Sequence, residues 1–508
     1  MNRIFKQIRT TQRCTSLRYN SSDSDYRKLD RSSTPKTKGA WPQVIDTRSK
    51  LHAQKEERDK NAPPKIQDNI PKNEEDMTIK QKIYQQIKLS GPISIATYMQ
   101  QCNTGEDKAG YYMSRDPLGE EGDFITSPEV SQIFGELVGT WCVHEFMCNG
   151  QSANSNTPLK ILELGPGRGT MMSDILRIIQ YLKKYLNQDR KVEINLVEVS
   201  EKLKDKQKET LDKYIQEEQA NVTVNWYNTI DEVPFDEGVP EYILAHEFFD
   251  ALPIYKMKMV DVQKSSTTGS NAKVPIVGDT KQELREILID IDPTTQNNFR
   301  YVVAPNRTPA SSMVEQVIQT DGSSLSSRGF KEFEVNFQAG AIFSQLCHRV
   351  NQTGGCGLVM DYGYTKDFKP DQENQGSIDT FRGYKDHKMV DPLKDSGNVD
   401  LTSDIDFDFL AKSVLYIDDL YNNIRFAGPL TQRVFLKNMG IDARLNNLLQ
   451  ENKDSKTREK IVRGYEYITD NEKMGKRFKV MAVMHKGRAE YQEIPITGFH
   501  SDVDVTDR

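Results

Sequence analysis

The chain has 508 residues, 68 basic and 74 acidic side chains for a net charge of −6, and 36% hydrophobic residues. That length exceeds one simple domain and supports a large core, while the balanced charge argues against broad nucleic-acid binding. The modest hydrophobic fraction points to long polar segments beside an ordinary core, and no apolar run is long enough to span a membrane, which argues against stable membrane insertion. Six scattered cysteines (Cys14, Cys102, Cys142, Cys148, Cys347, Cys356) form no C-x-x-C pair. Reduced thiols are therefore expected instead of a zinc site or a disulfide framework.

The first 22 residues carry Arg3, Lys6, Arg9, Arg13 and Arg18 and no acid, and Ile4, Phe5 and Ile8 can share one helix face. This composition predicts a mitochondrial transit peptide; the alternative is a basic disordered tail. Residues 23–77 are polar, charged and Pro-containing and are expected to be largely disordered. A helical region is expected over 78–150, with Ser94 as an N-cap and Ser127 capping a helix that has Pro128 at its first position. The Thr126–Glu129 stretch is read as a cap that can also aim a helix N-terminus at a ligand.

The run Ile161-Leu-Glu-Leu-Gly-Pro-Gly-Arg-Gly-Thr170 ends a short apolar strand in Glu163 and then places Gly165, Gly167 and Gly169 at alternate positions ahead of an amphipathic helix. Such glycines let backbone turn sharply and approach a ligand, and the helix start offers free N–H groups. The spacing is G-x-G-x-G, neither the dinucleotide G-x-G-x-x-G nor a phosphate loop ending in G-K-[ST]. A cofactor without a pyrophosphate suits it. S-adenosylmethionine is one, with an amine for Glu163 and a carboxylate for loop N–H groups; the alternative is a tight turn with no ligand. A second apolar run, Val192–Val197, ends at Glu198, 35 residues after Glu163. Strand, helix and strand fit in that interval, and an acid at the second strand tip is where ribose hydroxyls are held in nucleotide folds.

Further strands are expected at Val222–Trp226, Tyr242–Ala245, Ile254–Val260, Glu286–Ile291, Tyr301–Val303 and Gly357–Asp361, with a helix near Ala341–Val350. This alternation predicts a parallel α/β sheet. Lys264–Lys273 reads as a disordered surface loop. The tail is expected to be helical from Asn446 and then strand-like over Phe478–Met484. Directly after the fourth strand, His246-Glu-Phe-Phe-Asp-Ala-Leu-Pro253 presents Glu247 and Asp250 at the cleft edge, where ligands bind in open α/β sheets. Two such carboxylates can hold a guanidinium through bidentate hydrogen bonds. Acids within Gly397–Phe407 are assigned to helix capping, with Thr402 or Ser403 as the N-cap. The seven histidines form no H-E-x-x-H pattern and Gly-x-Ser-x-Gly is missing, so no metal centre and no esterase nucleophile are expected.

Taken in order, Gly122-Asp-Phe-Ile-Thr-Ser-Pro-Glu, Glu163-Leu-Gly-Pro-Gly-Arg-Gly-Thr, Val197-Glu-Val-Ser, Glu247-Phe-Phe-Asp-Ala-Leu-Pro, Asp361-Tyr-Gly, Asp379-Thr-Phe-Arg-Gly-Tyr and Gly428-Pro-Leu-Thr-Gln make the chain resemble the MidA-like S-adenosylmethionine-dependent methyltransferases over roughly Ile83 to His485. The resemblance implies an α/β, Rossmann-like core spanning 151–490 with an added helical and strand region for substrate, and a C-terminal tail over 491–508. It also implies a mitochondrial matrix protein arginine methyltransferase that makes symmetric dimethylarginine in the 49-kDa-type core subunit of respiratory complex I and is needed for complex I assembly. Under that reading Glu163, Gly165, Gly167, Gly169 and Glu198 bind S-adenosyl-L-methionine, Asp123 and Ser127 line the same pocket, and Glu247 and Asp250 engage the substrate guanidinium. One position departs: the family usually has Asn where this chain has His246. The rival classes are a non-catalytic assembly chaperone on the same scaffold and an NAD-type oxidoreductase.

Overall fold

Along the strand Leu159–Leu164, Ile161 packs into one hydrophobic core and Leu162 into another. Ile243 and Leu244, and Leu358 and Val359, divide the same way. Side chains alternate across a strand, so a strand apolar at both parities must be covered on both faces, as in parallel sheets. The computed structural model describes residues 71–500 apart from 72, 74–75, 106–108, 115–124, 150–156, 183–189, 217–220, 268–272, 322–329, 366–375 and 492–495. The transit-like segment, nearly all of 23–77, Asp123 and residues 501–508 lie outside the described residues.

The central sheet has 8 strands. Its order is Ile424–Thr431, Phe478–His485, Cys356–Tyr364, Glu241–His246, Leu159–Leu164, Val192–Val197 and Val222–Tyr227, with Ile405–Asp406 beside Cys356–Tyr364. The strands from Cys356–Tyr364 to Val222–Tyr227 run parallel, and at the other end Phe478–His485 runs antiparallel to both of its neighbours, Cys356–Tyr364 and Ile424–Thr431. From Leu159–Leu164 the chain winds outward one way and then returns to pair Glu241–His246 on the other side. That reversal is the topological switch point of a Rossmann-like fold, where ligands bind beyond the carboxyl ends of strands.

Helices Gln132–Cys148 and Thr170–Leu182 cover one face, and Phe337–Thr353 and Phe407–Leu415 the other. Between the fourth and fifth parallel strands the chain inserts a 5-stranded antiparallel sheet built from Tyr255–Thr267, Lys273–Ile291, Phe299–Val303 and Glu332–Val335, joined by Ile93–Ser94. A 3-stranded sheet (Arg382–Lys385, Lys388–Val390, Asp400–Thr402) follows the fifth. The N-terminal helices Ile79–Ser90 and Ile95–Asn103 bury Ile83, Tyr98 and Met99 against Ile254 and Ile289 of the insert and Leu401 of the small sheet.

Ser94 caps its helix as expected, and Thr78 caps the helix before it. Three local expectations are corrected, and one strand is added. Lys264–Lys273 is not a loop throughout, because Ser265, Ser266 and Thr267 pair with Pro275, Val274 and Lys273 in a hairpin; the flanking ladder carries residues that composition alone assigns to a linker. The helix Ser127–Val130 takes Thr126 as its N-cap residue, with no side-chain cap bond, and Ser127 lies inside it. Asp406, not Thr402 or Ser403, caps Phe407–Leu415, accepting from the Asp408 and Phe409 N–H groups. The strand Ile424–Thr431 was not anticipated, since Gly428-Pro429 breaks its alternation and its register shifts between Ala427 and Leu430.

Candidate active site

A cavity of about 440 Å³ opens at the switch point. Register places the tips together: Leu164 pairs with both Val197 and Ala245, and Met360 with His246. The residues that follow, Gly165, Glu198 and Glu247, line the cavity.

Gly165, Gly167 and Gly169 have φ of 64°, 55° and 80°, values that favour glycine. A side chain at Gly165 would put its Cβ 2.8 Å from the Phe248 ring. The Gly165 N–H donates to the Val197 carbonyl at 3.0 Å, tying the turn to the second strand. Gln207, on the helix Glu201–Ile215, then braces the assembly. Its Nε2 donates to the Gly167 carbonyl at 2.7 Å and to Glu198 at 3.3 Å, and its Oε1 accepts from Trp226 Nε1 at 2.9 Å. Sequence reading missed Gln207, because a polar residue within a charged helix carries no local signal.

Glu163 is 2% exposed and its Oε2 has no hydrogen-bond partner. Burial pushes its carboxyl up to about 8. Glu198 accepts from the Ser200 N–H at 2.8 Å. Burial raises it to about 7, opposed by hydrogen bonds from the Ser200 and Val199 backbone and from Gln207.

On the other side, Glu247 has φ of 48°. A non-glycine residue held there stores strain, a feature concentrated at functional sites. Its N–H donates to the Met360 carbonyl at 3.0 Å and its Oε1 accepts from the Ser127 N–H at 3.3 Å, while Oε2 has no partner. Burial, and then the nearby Asp250 charge, lift its carboxyl well above the usual range. His246 Nε2 lies 3.1 Å from Glu247 Oε1 without making a hydrogen bond. Burial takes His246 down to about 3, so this is a neutral imidazole beside a carboxyl and not an ion pair. Its ring packs on Phe134 with centroids 4.9 Å apart.

Asp250 Oδ2 accepts from the Tyr362 hydroxyl and from Thr402 Oγ1, the latter at 2.6 Å, and Oδ1 has no partner. Burial raises its carboxyl against those two hydroxyls and the Arg382 charge. Asp361, fully buried, accepts from the Phe249 and Asp250 N–H groups at 3.1 and 3.3 Å and so fixes the loop.

Glu163, Gly165, Gly167, Glu198, Glu247 and Asp250 therefore converge on one cavity. Gly169 sits behind it against Gln207. Ser127 is turned elsewhere, its Oγ donating to Gln432 Oε1 at 3.3 Å and to Met474 Sδ at 3.4 Å; only its N–H serves Glu247, while Thr126, Pro128 and Glu129 line the cavity. Asp123 lies outside the described residues.

Residues 137–420 match the model of a family of S-adenosyl-L-methionine-dependent methyltransferases. The protein arginine methyltransferase NDUFAF7, mitochondrial, of Homo sapiens is 37% identical over 418 residues, 80% of this chain and 82% of that one. Its Danio rerio counterpart is 38% identical over 81% and 89%, and the Drosophila melanogaster homolog 35% over 87% and 93%. The chain belongs to this methyltransferase family. A Burkholderia thailandensis crystal structure bound to S-adenosyl-homocysteine shares the fold at a TM-score of 0.59 and 19% identity, covering 85% of this chain and 94% of that one. The family's cofactor suits the residues present. The partnerless, buried Glu163 oxygen is an acceptor for a cationic amine, and the crowding at Gly165 keeps side chains out of the turn.

Proposed function

We propose that this chain is a mitochondrial matrix protein arginine methyltransferase. It makes symmetric dimethylarginine in the 49-kDa-type core subunit of complex I and thereby supports complex I assembly. The names of its relatives support the activity and the compartment. The observation that carries the reading is the pair of buried carboxyl groups, Glu247 and Asp250, each with one partnerless oxygen, on residues that line the same cavity as the glycine turn.

The cofactor, when bound, supplies a methyl group on a sulfonium. Glu163 and the Gly165–Gly169 backbone hold its methionine end, and Glu198 holds its ribose. Glu247 and Asp250 bind the guanidinium of the acceptor. Accepting a methyl group would oblige the guanidinium nitrogen to give up one proton. Burial favours the protonated form of Glu247, and the charge of a bound guanidinium favours its ionised form, which is placed to take that proton. The strand tips and helices around the cavity would bring both groups together.

The test is transfer of labelled methyl from S-adenosyl-L-methionine to the recombinant 49-kDa-type subunit by the purified chain, with the modified residue read by mass spectrometry. Symmetric dimethylarginine is expected. Label on another residue type, or no label, sinks the reading.

A further inference from the structure

Asp400 is one of the acids that the sequence assigns to helix capping, yet it caps no helix and enters no step above. It opens the strand Asp400–Thr402, is 5% exposed and lines the cavity. Tyr112, on the single turn Tyr111–Ser114, lines it too, and its hydroxyl donates to Asp400 Oδ1 at 2.5 Å. The Tyr112 carbonyl accepts from Ser200 Oγ at 2.7 Å. Asp400 is thus held by a residue anchored at the Glu198 tip, while Thr402, two positions on, holds Asp250. The Asp400 charge also reaches Glu247.

A guanidinium presents five N–H donors. Glu247 and Asp250 offer one partnerless oxygen each, Oε2 and Oδ1, both on side chains more than nine-tenths buried. Their other oxygens are engaged by Ser127, Tyr362 and Thr402. Two acceptors leave donors unmatched beside buried carboxyl groups, which weakens binding.

We propose that Asp400 is a third substrate-contacting carboxylate, which takes guanidinium donors left over by Glu247 and Asp250, and that Tyr112 is its positioning residue. The proposal rests on the arginine methyltransferase reading above. Acceptors spread over three carboxylates from two chain segments match a planar, many-donor cation and serve a compact ammonium less well, so Asp400 also favours arginine over lysine.

The experiment uses the full chain, an arginine peptide from the 49-kDa-type subunit and S-adenosylhomocysteine as the cofactor-site probe. Asp400→Asn is expected to raise KM for the peptide roughly tenfold while kcat falls less than about threefold, as for loss of uniform binding. S-adenosylhomocysteine affinity should stay within about twofold, and Tyr112→Phe should raise KM by roughly threefold, the scale of one lost hydrogen bond. Normal S-adenosylhomocysteine binding with an unchanged KM overturns the proposal. If Asp400→Asn does not fold, Tyr112→Phe decides by the same KM criterion. A wild-type chain that transfers methyl to no arginine instead overturns the underlying reading, which separates the two failures.

Discussion

The two walls of the cavity are built differently. Glu163, Gly165, Gly167, Glu198 and Gln207 come from two consecutive strand–helix units whose strands are direct neighbours. Tyr112, Glu247, Asp250, Tyr362, Asp400 and Thr402 come from four separate stretches of chain, two of them outside the central sheet. The first wall is fixed by local geometry, and a defect there acts on one ligand. The second depends on long-range packing of the N-terminal helices, the loop after the fourth strand and the 3-stranded sheet. Perturbing each wall should therefore move a different measurement.

The largest effect belongs to the glycine turn. Gly165→Val adds a branched side chain at φ 64° and within 2.8 Å of Phe248. It should abolish both methyl transfer and the thermal stabilisation given by S-adenosylhomocysteine. A variant that keeps the cofactor shift would break the distinction between the walls. Glu247→Gln should do the reverse: roughly 10²- to 10⁴-fold lower kcat, the scale of a lost general base, with cofactor affinity unchanged by calorimetry.

Proton linkage gives a graded test of the first wall. Glu163 titrates near 8 in the empty site, above its ordinary value of 4.5. The folded chain therefore binds that proton more tightly than the unfolded one. Its stabilising effect is complete at low pH and is lost as pH rises from the ordinary carboxylate range through about 8. A cationic amine needs the ionised form, so S-adenosylhomocysteine affinity should rise with pH, by up to about tenfold per unit below 8. Glu163→Gln should flatten both profiles, leaving the shallower dependence of Glu198 near 7.

The contrast between the walls explains what the sequence made legible. Glu163, the glycines and Glu198 stand at strand ends within a short interval, so hydrophobic runs and turn residues locate them. Glu247 and Asp250 follow a strand directly and were legible for the same reason. Asp400 and Thr402 lie in an acidic stretch whose obvious use is capping, and Asp406 alone performs that use. Tyr112 sits in a single helical turn with no periodic signal. What brings these residues to the cavity is the antiparallel register of the 3-stranded sheet, Arg382 against Thr402 and Tyr384 against Asp400, and the burial of Tyr98 and Met99 beside it. Neither is a property of a local window.

The smallest predicted effect probes how finely the second wall is tuned. The Tyr362 hydroxyl donates to Asp250 Oδ2 and favours the ionised carboxylate. Tyr362→Phe keeps the ring, which stacks under Arg382 at 5.0 Å and meets Phe478 edge-on, and leaves Thr402 as the remaining hydroxyl donor. One hydrogen bond to a charged group is worth about 1.5–3 kcal/mol, but Thr402 can take up part of that role. The expected outcome is a rise of a few-fold in KM for the arginine peptide, with the acidic limb of the pH–activity profile moved to higher pH because Asp250 then holds its proton longer. A limb that stays in place while KM rises would mean that Tyr362 shapes the wall without tuning the charge on Asp250. The second wall would then be specified by packing alone.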